Sequence, residues 1–338
     1  MKSSKVIALI LVLCMIISLS ACQNPISMVK GLFNDDEAAS SIIESDEDTN
    51  GDVQLRDTVL YYKDDKGYLI PVMRKIPWTE GIGKAALSNL IDSPTNRKDV
   101  EGIGLLPILP AATQIRGMSI DNGFCKVDFS SDILNTNSQQ EEEAMVKGIV
   151  YTLTEFVTID QVQLMVEGKK VDALTYGTQV SQPMARDNIN YASAAPSGDK
   201  VVVYFEGTTN GLETYFVPVT KAVEKKDGTP VNMLDALDTL VEGPPEGSGL
   251  YSQIPKGTQV LSVDINNGIA YINLNEEVMD IVENKEVSDS IVKSFALTVK
   301  EQYQDIAGVK ILVNGKETEL GSVSKEEPAA VPTFANQY

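Results

Sequence analysis

Few side chains in this sequence have the type and spacing that chemistry requires. Histidine is absent, which removes the commonest general base, the usual nucleophile triads and the commonest transition-metal ligand. Ser290 and Lys293 make an S-x-x-K spacing on a helical stretch, but no K-T-G segment accompanies them. Ser290 is therefore expected as an exposed helix residue. Gly81-Ile82-Gly83-Lys84 and Gly102-Ile103-Gly104 lack the G-x-x-x-x-G-K-[ST] spacing that aims backbone N–H groups at phosphate. Acid and base partners cannot be picked out among 48 acidic residues. No catalytic residue, no enzyme activity and no small-molecule substrate is expected.

The chemistry that is specified lies at Cys22. Lys2 and Lys5 precede an apolar run from Val6 to Leu19, interrupted only by Cys14 and Ser18, and Leu19-Ser20-Ala21-Cys22 follows. This order of charge, short apolar core and small-residue processing site is that of a removable export signal. The run is shorter than the roughly 20 residues of a bilayer-spanning helix. The last four residues resemble the bacterial lipobox, which implies removal of residues 1–21 and a diacylglycerol on the Cys22 thiol. Two acyl chains (palmitate is the expected type) hold a protein stably at a membrane. The mature chain is then expected at the extracytoplasmic face of the cell membrane. Cys125 is left as the single thiol of the folded part, on the same face as Val127 and Phe129, and is expected to be buried; no disulfide framework is possible within one chain.

The charge balance is −20, with 28 basic and 48 acidic residues. Such a chain is repelled by phosphate backbones and anionic headgroups, so no nucleic acid partner is expected and membrane attachment falls to the lipid. Much of the acid lies in residues 22–57, expected as a flexible tether; between residues 31 and 55 it holds no Lys or Arg. About 35 such residues reach roughly 30 to 35 Å as a coil. Within it, Asp46, Asp48, Asn50 and Asp57 occupy positions 1, 3, 5 and 12 of a segment with Gly51 at position 6, a spacing similar to a calcium loop. Asp in place of Glu at position 12 and the absence of a preceding helix favour a plain acidic linker, and no cofactor is expected.

The remainder is a repeat. A strand, Gly turn and strand from Thr58 to Ile76 recur from Val201 to Val223, and a helix at 85–94 recurs at 236–244. The segment 109–130 recurs at 254–275, each with an Asn-Gly hairpin signal, at Asn122-Gly123 and Asn267-Gly268. A second helix follows, with Met145, Ile149, Leu153 and Phe156 on one face, matched by Ile291, Phe295, Val299 and Tyr303. A strand and an xGK turn close each copy. The expected fold class is α+β, two β-β-α-β-β-α-β domains at 58–178 and 200–321. Residues 179–199 are expected as a linker and 322–338 as a disordered tail. The recurring residues read as apolar or turn-forming, and the single Trp78 as an edge residue that either packs or faces a partner.

Tyr68-Leu-Ile-Pro-Val72, Tyr215-Phe-Val-Pro-Val219, Ile254-Pro-Lys-Gly-Thr-Gln-Val260, the hairpin followed by Val127-Asp-Phe-Ser130, and Ile149-Val-Tyr-Thr-Leu-Thr-Glu-Phe156 together resemble the GerMN domain. A lipobox with two such domains is similar to the GerM sporulation and germination lipoproteins. The first copy departs at Pro110-Ala111-Ala112-Thr113, and in the second the helix reads Ala296-Leu-Thr-Val-Lys-Glu-Gln-Tyr303. The resemblance implies a non-enzymatic role in stabilising or positioning a channel-like assembly between mother cell and forespore membranes, with protein partners in that complex. It also implies kinship with the ring-building modules of secretion systems, and so side-by-side packing. The alternative reading is a lipid-anchored solute- or cell-wall-binding protein, and a cell-envelope hydrolase is a third.

Overall fold

The computed structural model describes residues 54–191, 199–211, 213–223, 225, 229–281 and 284–338. Cys22, Asp46, Asp48 and Asn50 lie outside the described residues. Each repeat begins with an antiparallel hairpin: β1 (Leu55–Lys63) with β2 (Leu69–Pro77), and β7 (Asp199–Gly207) with β8 (Tyr215–Val223). The first strand thus starts within the stretch expected as tether.

Helix α1 (Ile82–Ser88) follows. It ends before the expected boundary because Ser93 and Pro94 start a second helix, α2 (Pro94–Glu101). The Ser93 hydroxyl accepts from the Asn96 N–H, and Pro at the first helical position has no N–H to leave unpaired. A β-β-α-β-β-α-β order therefore holds with one helix added to the first repeat. In the second, α4 (Met233–Val241) is started by an Asn232 and Asp235 capping box.

The sheet hairpins are β3 (Ile115–Asp121) with β4 (Gly123–Phe129), and β9 (Val260–Asn266) with β10 (Ile269–Leu274). Their Asn-Gly turns have positive φ at both residues, 49° and 79° at Asn122 and Gly123, 51° and 75° at Asn267 and Gly268. That geometry matches the twist of the flanking strands. Helix α3 (Gln139–Leu153) then crosses over to β5 (Ile159–Val166), which pairs parallel with β4. Helix α5 (Lys285–Gln302) leads likewise to β11 (Gly308–Val313), parallel to β10. Two-residue return strands, β6 (Lys169–Lys170) and β12 (Lys316–Glu317), complete sheets of order β3-β4-β5-β6 and β9-β10-β11-β12.

The cores follow the periodicity. Cys125, Val127 and Phe129 of β4 are fully buried, as are Ile149 and Leu153 of α3, with Ile291, Phe295 and Val299 of α5 in the second copy. Tyr303 departs from its expected face: α5 ends at Gln302, and Tyr303 beyond it is exposed.

Two segments expected to be loose are packed. Val180 and Ile189, in the stretch read as a linker, are buried, and Met184 pairs with Val162. The tail at 322–338 is ordered rather than disordered: β13 (Ala329–Ala330) pairs with β11, and Asn336 is 2 % exposed. The physical reason is main-chain pairing, to which a Pro- and Ala-rich composition gives no clue.

The repeats consequently share one compact unit from Asp52 to Tyr338. Two asparagines join their hairpins. The Asn190 amide donates to the Leu69 and Pro218 carbonyls, while its oxygen accepts from the Leu69 N–H. The Asn336 amide donates to the Phe216 and Pro71 carbonyls, while its oxygen accepts from the Phe216 N–H. Leu69 and Phe216 are equivalent, as are Pro71 and Pro218, so the two clamps are related by the exchange of repeats.

Candidate functional site: a cleft between the repeats

The cleft is built from the first strand and last helix of each repeat. Tyr61 of β1 donates its backbone N–H to the Thr152 hydroxyl of α3 and its phenol to Glu155, at 3.0 Å. Tyr204 of β7 repeats this with Thr298 of α5 and with Glu301, at 3.1 Å. A buried strand N–H is thereby satisfied by a helix side chain, and the tyrosine aims a carboxylate. Both pairs line one cavity of about 360 Å³, walled by Pro71, Pro218, Tyr151 and Leu297.

Its charges are not symmetric. Arg186 donates to Glu155, to the Thr154 hydroxyl and to the Tyr151 carbonyl, its guanidinium 5.0 Å from the Tyr151 ring centre. Lys300, standing where the first repeat has Thr154, donates to the Pro332 and Thr333 carbonyls. Glu301 has solvent access at the mouth yet is flanked by protein mass, which raises its pKa; the Tyr204 hydroxyl and Arg186 pull the other way. Burial also raises both phenols, aided by the neighbouring carboxylates. Buried surroundings lower Lys300, opposed by Glu155 and Glu301.

Other residues singled out by sequence lie apart from the cleft. Asp57 sits on β1, exposed, 2.8 Å from the Lys75 ammonium rather than in a loop. Among the described residues no group of three or more His, Cys, Asp or Glu could hold a metal ion. Ser290 is half-buried and hydrogen-bonds to Glu206, which is 2 % exposed and also accepts from Gln253. Lys293 stands over the Phe216 ring at 4.4 Å. Ser290 thus belongs to a packed polar network, correcting the expectation of an exposed residue. Cys125 is buried, which raises its thiol pKa to about 11, an unreactive setting.

Trp78 is 52 % exposed just past β2. Ile120 on β3, with Leu261 and Ile265 on β9, is similarly exposed, on the outermost strands of the two sheets.

The cleft residues carry a sequence signal of their own, beside the recurring apolar and turn-forming positions. Tyr61 and Tyr204, Thr152 and Thr298, Glu155 and Glu301 recur at matching places. The helix that departs from the first copy as Leu297-Thr-Val-Lys-Glu301 keeps the two polar residues that matter.

Tandem α+β modules joined through such hairpins define the class of the protein, and the comparisons with known proteins specify it. The model of the Germane family, described as sporulation and spore germination, matches residues 59–172 and 202–319. The chain belongs to this family. It is 27 % identical over 319 residues to the spore germination protein GerM of Bacillus subtilis (strain 168), covering 90 % of this chain and 85 % of that one. The solved tandem GerMN domains of the sporulation protein GerM from Bacillus subtilis superpose with a TM-score of 0.70 at 27 % identity, covering 84 % of this chain and 99 % of that one. The chain therefore has a role in sporulation or germination. No helix among the described residues is long and apolar enough to cross a membrane.

Proposed function

We propose that this chain is a non-enzymatic lipoprotein of sporulation or germination, held by lipid on Cys22 at the extracytoplasmic face of the membrane. There it stabilises or positions an envelope-spanning assembly between mother cell and forespore. The supporting observation is the locked pair of GerMN-type repeats whose outer strands, β3 and β9, are left at the sheet edges bearing exposed Ile120, Leu261 and Ile265. Exposed apolar edge strands are usually blunted by charge or covered by a partner. Two such edges on one compact unit can engage two neighbours.

The test uses sporulating cells of the source bacterium. Cys22→Ala is expected to move the protein out of the membrane fraction, and Ile120→Lys with Ile265→Lys to lower spore yield at unchanged abundance and membrane attachment. Full spore yield from both variants at normal abundance refutes the reading.

A further inference from the structure

The inter-repeat cleft has hydrogen-bonding capacity of both signs left over, and that defines a ligand. Arg186 uses its Nε and one Nη on Thr154, Tyr151 and Glu155. Its other Nη carries two further N–H groups. Lys300 commits two donors to carbonyls and has a third. On the acceptor side, Glu301 receives the Tyr204 phenol on one oxygen, and Glu155 receives Tyr61 and Arg186 on the same Oε1. One carboxylate oxygen of each pair thus has room for a donor. All four groups line the same cavity.

We propose that this cleft binds a small zwitterion, a free amino acid or a short peptide with both termini free. Its carboxylate meets Arg186 and Lys300, its ammonium meets Glu301 and Glu155, and its body lies against Pro71, Pro218 and the tyrosine rings. A purely anionic ligand meets two carboxylates, and a purely cationic one meets Arg186 and Lys300, so neither matches. The cavity of about 360 Å³ lies at the small end of the range for ligand pockets. Pairing is also asymmetric where the fold is symmetric. Arg186 and Lys300 come from non-equivalent positions, so the charges of the cleft do not follow the symmetry of the repeats. This goes beyond the assembly role and does not depend on it.

The experiment is calorimetric titration of the full chain with L-alanine, with trialanine, and with trialanine acetylated and amidated at its ends. Saturable binding of alanine or trialanine with Kd below about 1 mM is expected, and which of them binds assigns the source as free amino acid or peptide. The blocked peptide is expected not to bind. Glu301→Gln keeps an acceptor for Tyr204 but removes the charge, and is expected to weaken binding about tenfold at unchanged melting temperature. Arg186→Lys is a second variant, expected to weaken the free ligands and leave the blocked one unchanged. No saturation by either free ligand, equal binding of the blocked peptide, or indifference to Glu301→Gln overturns the proposal.

Discussion

At the scale of single residues, Asp64 shows what a buried carboxylate does where two repeats meet. It is 2 % exposed and accepts the Lys66 and Tyr68 N–H groups from its own turn, at 3.0 and 2.8 Å. It also accepts the Tyr215 phenol from the other repeat, at 3.0 Å. Burial raises its pKa, and these hydrogen bonds only partly offset that. The folded state therefore holds the Asp64 proton more tightly than the unfolded chain does. Its contribution to stability is full below the ordinary carboxyl pKa and is lost as pH rises through the raised value. Asp64→Asn cannot titrate and keeps an acceptor for the turn. The expected outcome is a smaller loss of stability on raising pH just above the ordinary carboxyl range, read from urea unfolding at a series of pH values. A wild-type slope in the variant assigns that pH dependence to other groups. Glu142 has the opposite sign: it is fully buried, yet the Tyr176 and Thr178 N–H groups outweigh the burial and lower its pKa.

At the scale of elements, the strands, the long helices and the Asn-Gly turns were legible because period and turn chemistry are local. Met145, Ile149, Phe295 and Val299 lie where their spacing puts them, all buried. Two kinds of feature were not legible. The tail carries neither period nor turn signal, and its order comes from partners distant in sequence: Pro71 and Phe216 for Asn336, and Ala307 for the Val331 N–H. The cleft was hidden because each half is an ordinary Tyr–Glu pair, and only the juxtaposition of the repeats makes a site of them. Removal of residues 322–338 tests the tail directly. It strips Asn336 from the Phe216 N–H and the Pro71 and Phe216 carbonyls, and frees the β11 edge that β13 covers. Each buried polar group left without a partner costs about 1–3 kcal/mol. The expected result is a clear fall in melting temperature with faster amide exchange in β8 and β11. Unchanged exchange in both strands shows that the tail adds nothing to the unit.

At the scale of the whole molecule, the two asparagine clamps decide whether this is one body or two. Each repeat has its own sheet, helices and buried apolar side chains, so each holds the makings of an independent core. A buried apolar cluster runs through both repeats, and polar contacts join them as well: Asn190 and Asn336 across β2 and β8, Tyr215 on Asp64, and the Tyr68 phenol on the Ser248 carbonyl, at 3.2 Å. Polar joints of this kind are specific in geometry, because every donor fixes a direction, and weak in net energy, because water competes for each bond. The wild type is accordingly expected to unfold in urea as one cooperative step, coupled through the clamps. Asn190→Ala with Asn336→Ala removes both amides while leaving each core untouched. Unfolding is then expected to separate into two transitions, each with a denaturant slope about half that of the wild type. The cleft, which needs both halves in register, is lost in the same variant under conditions where each repeat is still folded. A single transition with an undiminished slope in the double variant assigns the coupling instead to apolar contact between the hairpins, and leaves the clamps to set orientation alone.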